Sequence, residues 1–234
     1  MKKLSIILSV CLLLVSFFSF PMSASAAADI YVAADGTGAG TSWADARSDL
    51  AAAVNNALPG QTVYVKAGAY TIAASLAPAD GVKVYGGFAG TESDPSERAM
   101  SDLDGNGIVE SWEFTNATVI TPSAANVRMV NIPNRTAPTV VDGFTFTGAG
   151  TTSSGSVAVL QINATMQNCQ VVDNANPSRG VVMLDGGTLL GSLVARNTLG
   201  TTVSDRGTVY VYYNQGALAT IANNRIENNK AQYG

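Results

Sequence analysis

The apolar and polar positions in the last third of the chain repeat a short pattern three times. The aligned copies span residues 166–174 (MQNCQVVDN), 189–197 (LLGSLVARN) and 221–229 (IANNRIENN). A β-rich run opened by a glycine precedes each copy, over 157–162, 181–186 and 209–214. The segment 140–148 (VVDGFTFTG) matches as an earlier copy. The pattern therefore predicts a unit of strand, turn, strand and asparagine-ended turn.

Repeats of about 20 to 50 residues are typical of solenoids, because one unit cannot bury its apolar face without a stacked neighbour. This unit shows strands and turns with no helical period, so we expect equivalent strands to pair in parallel sheets with apolar columns inside. Asn174, Asn197 and Asn229 should form a ladder of amide hydrogen bonds at one turn, where asparagine also tolerates left-handed backbone geometry. The predicted fold class is all-β, a parallel β-helix.

The start of the chain, over 1–26, has the pattern of a secretory signal peptide. Two lysines precede an apolar run over 4–20, and Ala24-Ser25-Ala26 offers a small-x-small cleavage site. A lipoprotein box ending at Cys11 is the less favoured alternative, because Val10 is larger than the small residue usual before that cysteine. We therefore expect a secreted protein, extracellular or at the cell surface. No later run is apolar for long enough to predict a transmembrane segment in the mature chain.

The composition of the mature chain excludes several kinds of chemistry. Cleavage after Ala26 removes two lysines and no acidic side chain, so the net charge changes from −4 to −6, without a basic patch for nucleic acid. The chain has no histidine, which excludes Ser-His-Asp and Cys-His nucleophiles and His-ligated zinc or iron sites. Cys169 is the one cysteine left, so no internal disulfide can form, and we interpret it as a buried residue of the turn.

The segment 27–90 is expected to hold an N-terminal cap and the first coils. Apolar residues recur at helical spacing over 43–58, with Ser42 as the N-cap and Pro59-Gly60 as the stop. An amphipathic helix laid across the first coil would cover its unpaired edge and its apolar interior. Strands are predicted over 62–66, 82–88, 118–121, 127–132 and 140–146.

Four amino-terminal motifs carry a resemblance to a known superfamily: 30–32 (IYV) before a Gly-rich loop, 41–46 (TSWADA), 59–65 (PGQTVYV) and 84–92 (VYGGFAGTE). They resemble the start of secreted bacterial right-handed β-helix proteins of the pectin-lyase-like superfamily, in the branch similar to polymorphic outer-membrane repeats. The resemblance covers about residues 29–234 and implies a right-handed coil with three sheets in an envelope or extracellular setting. It leaves the activity open, because the superfamily contains lyases, hydrolases, adhesins and structural spikes.

The segment 102–113 (DLDGNGIVESWE) fits the twelve-residue calcium loop of an EF-hand. Six predicted ligands occupy positions one, three, five, seven, nine and twelve: Asp102, Asp104, Asn106, Ile108 through its carbonyl, Glu110 directly or through water, and Glu113. Calcium takes six to eight oxygens, and Gly107 permits the sharp turn that wraps them round the ion. Glu113 can close the shell with both carboxylate oxygens, and Val109 is predicted as an apolar anchor.

The loop is expected to lie in an insert over 91–116 that is not a paired sensor hand. The segment 95–101 could form a short entering helix, whereas 114–118 makes a poor exiting one. The alternative is a solvated turn rich in Asp, Asn and Gly without an ion. With calcium, we expect the weak affinity of extracellular modules, on the order of 10⁻⁴ to 10⁻³ M. The remaining coils, over 117–234, are expected to continue beyond Gly234, because an uncapped coil end is sticky.

No catalytic residue can be assigned from the sequence. The Asn-Thr-Asp, Asp-Asp and Gly-His-Gly motifs of polygalacturonase-like enzymes are missing. Arg179 and Arg206 recur at equivalent turns, where solvated charges are favoured over a lyase base or anion clamp. Asp185 is expected to hydrogen-bond at a turn. Tyr210 and Tyr212 share a strand face, and burial of that face is favoured over an exposed surface that stacks on sugars.

The favoured function is a secreted or cell-surface β-helix scaffold, similar to an adhesin, that binds calcium structurally and has glycans as candidate ligands. The alternative is a polysaccharide lyase or glycoside hydrolase with its active site in later coils. We expect a monomer whose candidate partner is a polysaccharide or cell-surface glycan, without nucleic-acid binding.

Overall fold

The computed structural model describes residues 28–150, 157–175, 180–199 and 207–230. The predicted signal peptide, Arg179, Arg206 and the segment 231–234 lie outside these ranges. In the described part of the chain, none of the helices combines the length and apolar character needed to cross a bilayer.

The described residues are dominated by short β-strands. In chain order they are β1 (Ile30–Val32), β2 (Thr62–Lys66), β3 (Gly68–Ile72), β4 (Lys83–Phe88), β5 (Thr118–Pro122), β6 (Val130–Ile132), β7 (Thr139–Asp142), β8 (Phe144–Phe146), β9 (Ala158–Gln161), β10 (Ala164–Gln167), β11 (Gln170–Val172), β12 (Val182–Asp185), β13 (Thr188–Leu190), β14 (Leu193–Ala195), β15 (Val209–Val211), β16 (Thr220–Ala222) and β17 (Arg225–Glu227).

The strands form three sheets in which neighbouring strands run parallel. The first sheet has the order β1-β2-β4-β7-β10-β13-β16, the second β3-β5-β8-β11-β14-β17, and the third β6-β9-β12-β15. From β7 onwards the chain visits the first, second and third sheets in that order and then returns to the first. Each strand therefore pairs with its equivalent in the next repeat, an arrangement compatible with a β-helix or another solenoid.

The strand register confirms the alignment of the three main repeats. Met166 pairs with Leu189, and Leu189 pairs with Ile221. The earlier copy over 140–148 is displaced by one position from the prediction, because Val141 is the partner of Met166. A slip of one position would turn every side chain to the opposite face, and Val141 is the fully buried residue here.

The core lies between the three sheets and is built from columns of apolar side chains. In the third sheet, Ile132, Leu160 and Leu184 are paired neighbours, and all three are fully buried. The next member of this column is Val211, not Tyr212 as the repeat alignment predicts. The last repeat is therefore also shifted by one position in this sheet.

Only part of the predicted helix over 43–58 forms. A 3₁₀ helix spans Trp43–Asp45, and the α-helix α1 spans Leu50–Asn55. Between them Arg47 forms a parallel backbone bridge with Val32 of β1. Pairing with a strand requires extended backbone, so a continuous helix cannot form across this residue.

The helix α1 still has an amphipathic character. Asp49 caps it by accepting a hydrogen bond from the N–H of Ala52. Its apolar face, Leu50, Ala53 and Val54, is buried in the common core.

The insert over 91–116 connects β4 of the first sheet with β5 of the second. Of the entering helix predicted over 95–101, only a 3₁₀ helix at Pro95–Glu97 forms. The exit of the insert contains no helix, since Phe114 forms an antiparallel bridge with Met100 that closes the loop between them.

A buried ion pair fixes the base of the insert to the first sheet. Arg98 donates to Asp142 at 2.8 Å, and both side chains are almost fully buried. Arg98 also donates to the carbonyl of Gly86, while Asp142 accepts from Gln167 and Asn168. These hydrogen bonds satisfy the buried charges and hold the insert in one orientation.

Candidate metal centre

The loop at 102–113 is organised by hydrogen bonds from its own backbone to Asp102. One carboxylate oxygen of Asp102 accepts the N–H groups of Gly105 at 2.7 Å and Asn106 at 3.1 Å. The other oxygen accepts the N–H of Gly107 at 2.8 Å. Gly107 has a φ of +86°, a region that side-chain-bearing residues rarely adopt. The sharp turn predicted at this glycine is therefore present.

Three acidic side chains of the loop converge on one point. Oxygens of Asp102, Asp104 and Glu113 lie within 4.8 Å of one another. Oxygen donors at this separation suit a hard cation such as calcium or magnesium rather than a soft transition metal. The structure thus brings together the predicted ligands at positions one, three and twelve.

Glu113 is the buried member of this group, with only 2% of its surface exposed. Its Oε1 accepts the N–H groups of Leu103 at 2.9 Å and Asp104 at 3.2 Å, and its Oε2 accepts that of Glu110 at 2.9 Å. Desolvation alone would raise the pKa of Glu113, but these hydrogen bonds, together with an interaction with the side chain of Glu110, outweigh it and lower the pKa below its ordinary value. The group is therefore held as a carboxylate, the form that binds a cation.

The other three predicted ligands lie outside this convergent group. Asn106 accepts the N–H of Ile108 through Oδ1 and donates from Nδ2 to Glu110 at 2.8 Å. The side chain of Ile108 is exposed, as expected for a residue predicted to contribute only its carbonyl. The side chain of Glu110 interacts with that of Glu113, and this interaction contributes to the lowered pKa of Glu113. Glu110 thus lies beside the convergent group without belonging to it.

The loop is held on the outer face of the second sheet by the side chain of Trp112. This largely buried ring packs on an apolar patch formed by Val172, Leu193 and Ala195. Ser111 Oγ donates to the carbonyl of Gly191 at 2.7 Å, and Gln170 Nε2 donates to that of Trp112 at 3.2 Å. The predicted anchor Val109 is instead 52% exposed. Trp112 anchors the loop because its larger ring reaches the sheet.

Arg225 of β17 supplies a second link between the sheet and the loop. It donates from Nη2 to Asp104 and from Nη1 to Glu110, both at 2.8 Å. Its guanidinium also lies over the ring of Trp112, with 5.6 Å between the guanidinium carbon and the ring centroid. The hydrogen bond from Arg225 is the main cause of the lowered pKa of Asp104.

Sequence reasoning missed this arginine because Arg225 lies far from the loop along the chain, in a different repeat. A cavity of about 250 Å³ lies between loop and sheet and is lined by Asp104, Glu113 and Arg225, among others. One sequence feature does indicate that the outer face of the second sheet is covered. The strand β14 is apolar at successive positions, and such a strand is usually buried on both faces.

The other residues considered for chemistry have structural roles where they are described. Asp185 is buried and accepts the N–H groups of Asn214 and Gln215, as expected for a turn residue. Cys169 is fully buried, and burial raises the pKa of its thiol to about 12. Arg179 and Arg206 lie outside the described residues, so their equivalence stays a prediction.

The tyrosine cluster is more exposed than expected. Tyr212 is 43% exposed, since the register places Val211 in the apolar column, and Tyr213 is more exposed still. The rings of Tyr210 and Tyr212 stack on one another with centroids 6.1 Å apart. One face of each ring is therefore covered by the other tyrosine and is not free to stack on a sugar.

Comparisons with known proteins found no matching family model, no matching curated protein and no matching solved structure.

Proposed function

We propose that this chain is a secreted or cell-surface right-handed parallel β-helix that binds calcium structurally and acts as a non-catalytic scaffold. The fold part of the proposal is supported by three parallel sheets visited in a fixed order and by the register of equivalent strands. The right hand is what the resemblance of the four amino-terminal motifs implies. Secretion is supported by the signal-peptide pattern over 1–26.

The observation that carries the calcium proposal is the convergence of Asp102, Asp104 and Glu113 at the diagnostic positions of the loop. The mutual repulsion of these carboxylates is offset in part by backbone N–H groups and by Arg225, and a divalent cation would offset it further. Backbone N–H groups orient both oxygens of Glu113, which is predicted to be the bidentate ligand.

The proposed role of calcium is to hold the insert in its docked conformation. The insert covers the apolar patch beneath Trp112, which would otherwise be exposed on the outer face of the second sheet. Ordering the loop therefore protects the sheet and shapes its outer surface. The exposed sheet faces and Tyr213 are the candidate contacts for a glycan.

Isothermal titration calorimetry of the mature chain with CaCl₂ tests the proposal. We expect one site with a Kd on the order of 10⁻⁴ to 10⁻³ M, and a higher melting temperature with calcium. Asp102→Ala should abolish the binding heat. Glu97→Gln, which changes an exposed acidic side chain that accepts from Ser93 and contacts none of the predicted ligands, should leave it unchanged.

Two results would count against the proposal. Binding heats that are the same in wild type and Asp102→Ala would exclude the loop as the calcium site. Release of reducing ends or unsaturated products from any member of a panel of acidic and neutral polysaccharides would overturn the non-catalytic assignment and favour a lyase or hydrolase.

A further inference from the structure

Arg225 is bonded to the same acidic side chains that are predicted to bind calcium. Its two terminal nitrogens reach Asp104 and Glu110, the residues at positions three and nine of the loop. The third nitrogen, Nε, lies 3.3 Å from Glu227 of the same strand. One guanidinium therefore joins the loop to β17, the outer described strand of the second sheet.

The guanidinium lies in the same cavity as two of the three convergent carboxylates. Asp104, Glu113 and Arg225 line the same cavity between the loop and the sheet. Glu110 lies beside these residues, because its side chain is only 14% exposed and interacts with the carboxylate of Glu113. Two neighbouring carboxylates repel one another, and a bound divalent cation would offset that repulsion.

We propose that Arg225 competes with calcium for Asp104 and Glu110, so that calcium binding weakens the link between the loop and β17. This inference rests on the proposed calcium site. A divalent cation beside Asp104 and Glu110 takes up the negative charge that now attracts the guanidinium, and the two positive charges repel one another. By linkage, the factor by which Arg225 weakens calcium binding equals the factor by which calcium weakens the ion pairs of Arg225.

The insert is attached to the second sheet at two places, and the proposed competition affects only one of them. Trp112, Ser111 and Gln170 hold the loop on β11 and β14 through contacts that involve none of the acidic ligands. The contact with β17 depends on Arg225 alone among these links. Calcium is therefore expected to keep the loop on the sheet while freeing the edge at β17.

Calcium titration of Arg225→Gln tests the competition, with Arg196→Gln as the matched control. Arg196 lines the same cavity but pairs with Asp173 and touches none of the loop acids. We expect Arg225→Gln to bind calcium about tenfold more tightly than wild type, within the usual range for coupled sites. Arg196→Gln should stay within about twofold of wild type, because exposed charges are screened by salt. Arg225→Lys, which keeps the charge and lacks the forked geometry, should lie between them.

Tryptophan fluorescence provides a second measurement, which reports on the contact between Arg225 and the loop. In a Trp43→Phe background Trp112 is the only tryptophan of the chain. Calcium should change its fluorescence by moving the guanidinium from its ring, and this change should be lost in Arg225→Gln.

The outcomes distinguish the two proposals. Calcium binding of equal or weaker affinity in Arg225→Gln would overturn the competition and leave the calcium site standing. An equal gain in Arg225→Gln and Arg196→Gln would reduce the effect to net charge and also overturn it. The absence of calcium heat in every variant would overturn the proposed function and this inference with it.

Discussion

In each asparagine-ended turn, one residue adopts the left-handed backbone conformation and the next forms the side-chain hydrogen bonds of the ladder. The residue before each ladder asparagine has a positive φ: Asp173 (55°), Arg196 (55°) and Asn228 (52°). The asparagine that follows keeps an ordinary backbone and stacks its side-chain amide on the next repeat. The sequence predicts the ladder correctly but assigns the left-handed geometry to the ladder residue itself. Arg196 could not have been predicted for this role, since arginine has no local side-chain bond that favours such a conformation.

A second ladder escaped the sequence analysis because its residues differ from repeat to repeat. Cys169 donates its N–H to Ser192 Oγ, and Ser192 donates its N–H to Asn224 Oδ1. What the three positions share is a preceding residue with positive φ, at Asn168, Gly191 and Asn223. The backbone conformation recurs along the stack, whereas the side-chain type does not.

The acid sensitivity of the loop can be predicted from Glu113. Its pKa is lowered in the folded chain, so its contribution to stability is present above its ordinary value of 4.5 and is lost as the pH falls through the lowered pKa. Without calcium, Glu113→Gln should lower the unfolding free energy at pH 7 by about 2 kcal/mol, the scale of lost hydrogen bonds to a charged group. The difference from wild type should shrink towards pH 3. Urea denaturation between pH 3 and 7 measures it.

Glu97→Gln is the control for this experiment, because Glu97 accepts hydrogen bonds from Ser93 on the exposed side of the insert. It should change the unfolding free energy by less than about 0.5 kcal/mol, as surface substitutions usually do. A constant difference between Glu113→Gln and wild type over the whole pH range would contradict the prediction.

At the scale of elements, the sequence predicts strands better than the contacts between distant segments. The bounds of β2, 62–66, agree with the prediction, and the apolar repeat identifies the register of β10, β13 and β16. Helix prediction failed over Ala46 and Arg47, because tertiary pairing with β1 overrides local helical spacing. The predicted ligands of the loop follow from local spacing along the chain. Arg225 could not be predicted in the same way, because only the folding of distant segments brings it next to the loop.

The asparagine ladder gives a prediction for one turn. Asn197 accepts from the backbone and side chain of Asn174 at 3.0 Å and donates to the carbonyl of Val171 at 2.8 Å. Asn197→Ala leaves these buried groups unpaired and should lower the unfolding free energy by about 3 kcal/mol. Asn229→Ala, in the outer and more exposed position of the ladder, should lose about 1 kcal/mol. Equal losses in chemical denaturation would show that burial along the ladder does not set its strength.

The described residues form three parallel sheets in which burial decreases towards β15, β16 and β17. Residues in columns that are fully buried in earlier repeats become partly exposed here, including Val211, Ile221 and Ile226. The repeats predict stacked parallel strands, and the number of three sheets is implied only by the resemblance; neither specifies which outer faces are covered. The insert covers the second sheet at β11 and β14, a long-range contact that depends on Trp112.

This gradient of burial leads to a prediction with two matched residues. Leu189 and Ile221 are paired in one column of the first sheet and carry side chains of equal carbon count, but Leu189 is 0% exposed and Ile221 is 45% exposed. Leu189→Ala removes a fully packed side chain and should lower the unfolding free energy by about 3 kcal/mol, including the cavity left behind. Ile221→Ala should lose about 1 kcal/mol, because water already contacts nearly half of the side chain and no closed cavity forms.

Amide hydrogen exchange in wild type and in these two variants measures which strands unfold locally first. Amides of β16 should exchange faster than those of β13 in wild type, and Ile221→Ala should accelerate exchange in β16 and β17 while leaving β7 and β10 protected. Leu189→Ala should instead increase exchange on both sides of β13, since its neighbours in β10 and β16 depend on the same column. Uniform exchange from β7 to β16 would contradict this view, because a stack stabilised by contacts between neighbouring repeats loses protection first at its least covered strands.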